Sequence, residues 1–360
     1  MNRALNFNAG PAALPLSVLK EAEKNWLDYN GSGMAVMELS HRSKEYEAIH
    51  QKAQDLLRSI LSIPDSYDVL FLQGGASLQF TMIPMNLLSE GKSGNYVLSG
   101  VWSEKALKEA EKIGQTYIVS SSKEENYRSI PVFNEDMLSK DAAYLHITSN
   151  NTIYGTQWSH FPSNGKVPLI ADMSSDILSK NINIENFDLI YAGAQKNLGP
   201  SGVTVVIIKK DLLAKSKSSL PTMLNYNTFA KNNSLYNTPP TLAIYLLKLV
   251  LEWVEGEGGL SVIEKRNEEK AKILYDCIDE SNGFYIGHSE KDSRSNMNVT
   301  FNLKDEETSK QFLAQAKEAG FVGLNGHRSV GGCRASIYNA IPVEQIEQLA
   351  AFMKAFRNNY

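Results

Sequence analysis

Short apolar runs that alternate with amphipathic stretches constrain the fold of this chain more than any other feature of its sequence. Runs typical of buried strands occur at 68–73, 95–100, 142–148, 168–173, 188–192 and 203–209. Helical patterns lie between several of them, one running from Gly74-Gly75 through Leu88 and another covering 103–113. Strands separated by helices predict an α/β fold with a mostly parallel sheet covered on both faces.

The order of the predicted elements changes near residue 258, which indicates a second, smaller domain. An apolar helix is predicted at 241–254, because Pro239-Pro240 suits a helix start and three glycines follow its end. Beyond it the pattern predicts helix, strand, helix, strand and helix, at 262–278, 298–303, 307–319, 334–338 and from Val343 onward. We expect a large domain at 16–257 and a small α/β domain formed by 258–360 together with 1–15.

Charge, hydropathy and cysteine usage argue against several classes of partner. The 360 residues carry a net charge of −4, so no global field attracts nucleic acid. No apolar run approaches the roughly 20 residues of a membrane span, and residues 1–10 lack the apolar core of a signal peptide. Cys277 and Cys333 lie far apart without ligand spacing, so we expect no disulfide and no metal site. These features predict a cytoplasmic protein.

Two polar residues follow neighbouring apolar runs of the predicted sheet. Asp172 ends one run, and Lys196 comes shortly after the next, before a Gly199-Pro200 turn. The carboxyl ends of parallel strands line the ligand crevice, so both side chains should face one site. A partly desolvated lysine can condense with an aldehyde, and a carboxylate can keep a pyridine nitrogen protonated. The residues alone also fit a solvated loop lysine and a helix-capping aspartate.

Five further segments occur along the chain in a characteristic order: Phe7–Pro11, Glu38–Ser43, Phe71–Ser77, Ala192–Asn197 and Asn325–Arg328. With the stretch 172–202, they make the sequence resemble, over essentially all 360 residues, the class-V aminotransferases, fold-type I enzymes that use pyridoxal 5′-phosphate. The resemblance implies a seven-stranded, mostly parallel sheet in the large domain, a smaller C-terminal domain, and a homodimer with shared active sites. It also implies that Lys196 carries the cofactor as a Schiff base and that Asp172 holds the pyridine nitrogen.

A glycine turn is the expected site of the cofactor phosphate. Gln73–Ser77 follows a strand and precedes a helix, and the backbone N–H groups at a helix N-terminus favour anions. Taken alone, this turn also fits a plain loop. By resemblance, Ala76 and Ser77 bind the phosphate through this turn, and Gln195 reaches it from beside the lysine.

The other cofactor contacts rest on the resemblance. It implies that Trp102 stacks on the pyridine ring and that Thr152 hydrogen-bonds near the ring oxygen or the Schiff base. It also implies that Asn237 and Thr238 contact the phosphate of the neighbouring subunit's cofactor. From the residues alone, Trp102 also fits a core position, and Asn237 and Thr238 fit a helix cap.

Two His-Arg pairs and a further arginine are candidates for the substrate pocket: His41-Arg42, His327-Arg328 and Arg334. Lone pairs of this kind are commonly surface charge, yet the guanidinium group binds carboxylate and phosphate through two parallel hydrogen bonds. The resemblance implies that Arg334 binds the substrate α-carboxylate, and that the two pairs surround a phosphate or a distal carboxylate. Some family members carry an arginine where this chain has Ser77, which leaves more of the phosphate contact to the pairs.

The resemblance is strongest to class-V members that use phosphoserine as a substrate. It implies reversible transamination of O-phospho-L-serine with 2-oxoglutarate to 3-phosphohydroxypyruvate and L-glutamate, a step of serine biosynthesis. Some family members also accept 4-phosphohydroxy-L-threonine in pyridoxine biosynthesis. Alternatives with the same fold are an alanine:glyoxylate-type aminotransferase and a cysteine desulfurase or lyase. A non-enzymatic ligand-binding protein is a third, and the retention of both Asp172 and Lys196 speaks against it.

Overall fold

The computed structural model describes residues 3–162, 165, 167–328 and 330–360. In that part of the chain the strands are β1 Leu5–Asn6, β2 Tyr67–Leu72, β3 Ser93–Leu98, β4 Gln115–Ser121, β5 Ala142–Thr148, β6 Asn150–Asn151, β7 Thr156–Gln157, β8 Leu169–Asp172, β9 Leu189–Gly193, β10 Thr204–Lys209, β11 Tyr285–Gly287, β12 Asn298–Leu303, β13 Phe321–Val322 and β14 Cys333–Ser336. The α-helices are α1 Leu16–Lys24, α2 Lys44–Leu61, α3 Gly75–Leu87, α4 Val101–Glu111, α5 Lys210–Leu213, α6 Tyr226–Lys231, α7 Thr241–Gly256, α8 Leu260–Asp279, α9 Glu306–Glu318 and α10 Val343–Asn358. Short 3-10 turns lie at Val36–Glu38, Lys123–Glu125, Glu135–Met137, Ile184–Asn186, Thr222–Leu224 and Lys291–Ser293.

Seven strands form the main sheet in the order β2-β10-β9-β8-β5-β3-β4. All of them run parallel except β10, which is antiparallel to both of its neighbours, β2 and β9. The prediction of a mostly parallel, seven-stranded α/β sheet is therefore confirmed. The edge strand β4 was not predicted from the sequence, because most of its residues are exposed and it lacks a continuous apolar run.

The main sheet is covered on both faces, as its apolar strands require. In β2, Val69 and Phe71 join one apolar cluster with residues of α2 and α7, whereas Leu70 and Leu72 join a second cluster with residues of α3 and α4. This alternation follows from the two-residue period of a strand. Helices α1 and α2 lie in a segment for which the sequence analysis predicted no element, while α7 was predicted nearly to its bounds.

The C-terminal part of the chain adds a three-stranded antiparallel sheet in the order β11-β12-β14. Helix α8 packs against α10 and against strand β11, and a third apolar cluster lies among these elements. The N-terminal arm reaches this region, because β1 pairs in parallel with β13 and Phe7 is buried in the same cluster. A domain division near residue 258, with 1–15 in the smaller unit, stays a prediction.

The strand predicted at 334–338 is shorter in the structure, where β14 ends at Ser336. The backbone carbonyls of Ile337 and Tyr338 each accept a hydrogen bond of 2.8 Å from Nζ of the buried Lys270. A lysine ammonium group donates several hydrogen bonds and accepts none, so it satisfies carbonyls that a strand ladder leaves unpaired. Lys270 of α8 therefore anchors the two residues that follow the strand.

The described residues contain no helix that is both long and apolar enough to cross a membrane. Cys277 and Cys333 are both buried free thiols. Burial raises the pKa of both thiols, that of Cys333 to about 12, so neither is a ready thiolate. This counts against the desulfurase alternative, which needs a reactive and mobile cysteine.

Candidate active site

A cleft of about 300 Å³ opens at the carboxyl ends of β5, β8 and β9. It has the strand-end position expected of a ligand site in an open α/β sheet. Nine of the predicted site residues line it: Ala76, Ser77, Trp102, Thr152, Asp172, Gln195, Lys196, His327 and Arg334. A separate cavity of about 360 Å³, around Phe71, Met82 and Phe229, has no titratable side chain in its lining. The chemistry of the chain therefore belongs to the smaller cleft.

Lys196 supplies the amine of this cleft. Burial lowers the pKa of Lys196 to about 8, against the opposing attraction of Asp172, and the nearby Arg334 charge lowers it further. A lysine with this pKa is partly neutral near pH 8, whereas an ordinary lysine is almost wholly charged there. The Nζ atom lies 5.8 Å from the centroid of the Trp102 ring. Lys196 is thus a nucleophilic amine beside a flat aromatic surface.

Asp172 is a buried carboxylate at the end of β8. Its Oδ1 accepts hydrogen bonds from the backbone N–H of Ser174 at 2.9 Å and from the Ser174 hydroxyl at 2.6 Å. Burial raises the pKa of Asp172, while the Ser174 hydrogen bonds and the charge of Lys196 oppose that rise. The Ser174 oxygen in turn accepts the N–H of Gly193 at 3.1 Å. Gly193, at the end of β9, therefore orients the Ser174 hydroxyl that hydrogen-bonds to Asp172.

The first turn of α3 provides an anion site in the same cleft. Residues Gly75, Ala76 and Ser77 line the cleft and begin a helix of 13 residues with no acidic side chain in its first turn. Gly74 precedes them with φ +86°, and a Cβ there would lie 2.6 Å from the Leu78 side chain. Only glycine fits that turn, which points the free N–H groups of the helix at a ligand.

Arg334 also lines the cleft, and it has no carboxylate partner among the described residues. Arg334 donates from Nη1 to the backbone carbonyl of Thr152 at 2.9 Å, and its buried Nε has no hydrogen-bond partner among the described residues. Burial lowers the pKa of Arg334. The Thr152 hydroxyl accepts the Trp102 indole N–H at 3.1 Å, so one loop fixes both the ring and the arginine. An anionic ligand would satisfy the remaining guanidinium donors.

His327 extends this positive region. Burial lowers the pKa of His327, and the charges of Arg334, Arg328 and Lys105 lower it further. Lys105 also lies over the Trp102 ring, with Nζ 4.4 Å from its centroid. The cleft mouth therefore gathers several cationic groups, as a substrate with more than one negative charge requires.

Five predicted residues do not line the cleft of their own chain: His41, Arg42, Asn237, Thr238 and Arg328. The His41 Nδ1 atom lies 3.2 Å from the Thr238 hydroxyl, and the Thr238 carbonyl accepts a hydrogen bond from the Gln73 side chain at 3.3 Å. Asn237 borders the separate apolar cavity. The chain thus joins His41 and Thr238 beside the glycine turn, while Arg42 and Arg328 are exposed.

Sequence reasoning missed two residues that shape the cleft. Ser174 follows Asp172 by two residues, a spacing that predicts a local hydrogen bond to an aspartate and could have been recognised. Gly10 packs against the lysine, because a Cβ built there would lie 3.4 Å from Lys196 Cγ. Its φ of +147° also disfavours other residues. The Gly10-Pro11 pair marks a turn in the sequence, but nothing local tells which side chain the turn meets.

Comparison with known proteins gives concordant results. The family model described as Aminotransferase class-V matches residues 4–349. The chain is 65% identical to the phosphoserine aminotransferase of Geobacillus kaustophilus strain HTA426, with 100% of both chains covered. It is 62% identical to the phosphoserine aminotransferase of Bacillus subtilis strain 168, over 99% of both. These relatives span the chain, so the similarity is not confined to the region around Lys196.

Solved structures agree with this. The phosphoserine aminotransferase from Bacillus circulans subsp. alkalophilus superposes with a TM-score of 0.97 at 56% identity, covering 99% of both chains. The pyridoxal-phosphate-bound phosphoserine aminotransferase from Trichomonas vaginalis superposes with a TM-score of 0.93 at 40% identity, covering 98% of this chain and 100% of that one. An alanine–glyoxylate aminotransferase from Nostoc sp. is only 18% identical at a TM-score of 0.77, a likeness in fold alone.

Proposed function

We propose that this chain converts O-phospho-L-serine and 2-oxoglutarate reversibly into 3-phosphohydroxypyruvate and L-glutamate in serine biosynthesis. The chain belongs to the class-V aminotransferase family and is a pyridoxal-phosphate-dependent aminotransferase. The observation that carries the proposal is Arg334, a partly buried cation with no carboxylate partner among the described residues, next to Lys196 and His327. Such a group needs an anionic ligand. The high identity to relatives named phosphoserine aminotransferase supports the choice of ligand.

The cleft residues suit pyridoxal 5′-phosphate. The first turn of α3, at Ala76 and Ser77, would hold the phosphate, with Gln195 beside it. Asp172 would accept the N–H of the pyridine ring, and Trp102 would stack on the ring face. Thr152 would lie near the ring oxygen.

When bound, the cofactor supplies an aldehyde that condenses with amines and a ring that accepts electrons from the substrate Cα. Lys196 is the residue that would hold the cofactor through that aldehyde. Its Nζ would act as the base that takes the proton from the substrate Cα and as the acid that returns it, a role that its lowered pKa suits. As an ionised carboxylate, Asp172 would hold the proton on the ring nitrogen, and so help the ring to accept the charge that leaves Cα.

The positive groups divide the substrate between them. Arg334 would bind the α-carboxylate, which both phosphoserine and glutamate carry. His327 and Arg328 would contact the phosphate of one substrate or the distal carboxylate of the other. We extend the proposal to 4-phosphohydroxy-L-threonine, which offers the same two anions. A cytoplasmic location is proposed as well, because a reducing compartment suits the two free thiols.

A half-reaction assay tests the substrate assignment. Mixing the purified enzyme with phosphoserine or glutamate is expected to convert the absorbance of the bound cofactor to that of the pyridoxamine form. Alanine and serine should convert it at least about a hundredfold more slowly, because they lack the second anion that contributes about 3 kcal/mol. Stopped-flow spectroscopy gives the rates. An equal response to alanine would remove the phosphoserine assignment and leave the aminotransferase class intact.

We also propose that the enzyme is a homodimer whose sites are shared. His41, Arg42, Asn237 and Thr238 lie outside the cleft of their own chain, and a second chain would bring them to the other cleft. Exposed apolar side chains support an interface, among them Tyr236, which precedes Asn237 in the sequence and is 50% exposed. Apolar surface of this kind is characteristic of interfaces in obligate dimers.

Mixing two defective variants tests the shared site. Lys196→Ala and Arg42→Ala chains, each weakly active alone at low phosphoserine, are expected to regain about one quarter of wild-type activity after joint unfolding and refolding. Half of the dimers are then mixed, and each mixed dimer has one complete site out of two. The matched control mixes Lys196→Ala with Asp172→Asn, two changes in the cleft of one chain, and should regain nothing. Equal recovery in both mixtures, or in neither, contradicts shared sites.

A further inference from the structure

A buried hydrogen-bond chain lies behind Asp172, and none of the roles above uses it. The Tyr191 hydroxyl lies 2.9 Å from Nε2 of His146, and Tyr191 and Asp172 lie close enough for each to influence the pKa of the other. Tyr191 is fully buried and His146 is 1% exposed. The sheet register places Tyr191 of β9 directly beside Asp172 of β8, and His146 beside Ile170 of the same strand. The three side chains thus run across three neighbouring strands.

The direction of each hydrogen bond in this chain follows from counting protons. An ionised Asp172 can only accept a hydrogen bond, so the Tyr191 hydroxyl can interact favourably with it only as the donor. His146 Nε2 must then donate to the Tyr191 oxygen, which fixes the neutral tautomer with the proton on Nε2. Consistent with this, His146 Nδ1 is buried and has no hydrogen-bond partner among the described residues. Burial lowers the pKa of His146 to about 3, so the ring stays neutral at working pH.

Neutral groups seal the chain from solvent. The Tyr96 ring lies 5.1 Å from the His146 ring, and the Tyr96 and Tyr144 hydroxyls hydrogen-bond to each other at 2.8 Å. Burial raises the pKa of Tyr96, Tyr144, Tyr191 and Tyr226, the titratable groups around the chain, well above the working range. The charges that face Asp172 itself are Lys196 on the cleft side and the buried Asp176.

We propose that Tyr191 and His146 are positioning residues for the aminotransferase reaction, which together hold Asp172 ionised and aimed at the ring nitrogen of the cofactor. The inference rests on the proposed role of Asp172. Ser174 provides two donors to one carboxylate oxygen, and the Tyr191 hydroxyl, which the register places beside Asp172, would provide a third donor to the same group. His146 orients the Tyr191 hydroxyl. Because the Nε2–H of His146 donates to the Tyr191 oxygen, the hydroxyl proton of Tyr191 points away from His146 and towards Asp172.

The tautomer of His146 is the first test, and it needs no active-site variant. In wild-type holoenzyme with ¹⁵N-labelled histidine, His146 is expected to be neutral with its proton on Nε2 between about pH 6 and 9. Its signal among the six histidines is assigned by its loss in His146→Gln. A proton on Nδ1, or a charged ring at neutral pH, would refute the proposal.

Variants give the second test. Tyr191→Phe removes only the hydroxyl and is expected to weaken cofactor binding to the apoenzyme about tenfold, since it deletes one hydrogen bond to a charged group. The Tyr191→Phe variant should also lower the pH at which the ring nitrogen of ¹⁵N-labelled cofactor loses its proton. Its kcat should fall, while its KM for phosphoserine stays unchanged. Tyr144→Phe, which deletes a buried hydroxyl one step away from the chain, is the matched control and should change none of these.

Substitution of His146 separates positioning from packing. His146→Gln keeps an N–H donor and is expected to retain the wild-type ring-nitrogen titration, whereas His146→Leu should shift it as Tyr191→Phe does. The inference is overturned if the ring nitrogen of the cofactor titrates as in wild type in both Tyr191→Phe and His146→Leu. That result leaves the proposed function in place. A ring nitrogen that is unprotonated in wild-type enzyme instead removes the role proposed for Asp172. The tautomer measurement decides the matter if Tyr191→Phe does not fold.

Discussion

Lys196→Ala is expected to lower kcat/KM for phosphoserine by about 10⁴-fold or more, as measured by steady-state assay of glutamate formation. General acid–base catalysis by a positioned side chain contributes about 10² to 10⁴-fold, and this variant also loses the covalent attachment of the cofactor. Among the described residues Lys196 is the one lysine that lines the cleft, and its lowered pKa suits the proposed role of proton carrier. The variant should still bind cofactor through Asp172 and the first turn of α3.

Chemical labelling distinguishes a lysine that binds the cofactor from a lysine that only has a lowered pKa. Borohydride reduction of the holoenzyme followed by peptide mapping should attach the cofactor to Lys196 alone. Lys270 is the internal control, because burial lowers its pKa to about 7, yet it donates to two backbone carbonyls away from the cleft. A label on Lys270, or normal turnover by Lys196→Ala, would contradict the assignment. A lowered pKa does not by itself make a lysine catalytic.

The main sheet could be predicted because its central strands are buried on both faces and therefore read as continuous apolar runs. Strand β5 was predicted at its observed bounds of 142–148, and β12 at 298–303. The same logic could not predict β4, whose exposed edge position needs no apolar run. Nor could it predict that β14 ends at Ser336, or that Lys270, more than 60 residues earlier in the sequence, hydrogen-bonds to the two residues that follow the strand.

The candidate site also contains some residues that the fold class makes predictable and others that it does not. Asp172 and Lys196 could be predicted because the ends of parallel strands meet at one edge, which is a property of the fold class. Tyr191 and His146 could not, because each lies within an apolar strand and resembles a core residue until the strand register is known. For His41 and Arg42 even the single-chain structure is insufficient, since neither lines the cleft of its own chain. Their assignment depends on contacts between chains.

The second large effect is expected for Asp172→Asn, which keeps the shape of the side chain and removes its charge. At about 4 Å and an effective dielectric constant of 20, two unit charges attract by about 4 kcal/mol, which corresponds to about 10³-fold in rate. Without that charge the ring nitrogen loses its proton and stabilises the developing negative charge poorly. We expect kcat for phosphoserine to fall about 10³-fold in steady-state assays. Thermal unfolding should change little, because the asparagine oxygen still accepts both Ser174 hydrogen bonds.

Asp176→Asn is the matched control for Asp172→Asn. Asp176 is also a buried carboxylate with a raised pKa, and it accepts hydrogen bonds from Ser149 and Gln157, but it does not line the cleft. Its loss of charge should therefore affect stability more than kcat, and leave the ring-nitrogen titration close to that of wild type. A comparable loss of kcat in Asp172→Asn and Asp176→Asn would mean that buried negative charge in this region affects activity by stabilising the folded structure. A loss confined to Asp172→Asn assigns the effect to the carboxylate that faces the cofactor.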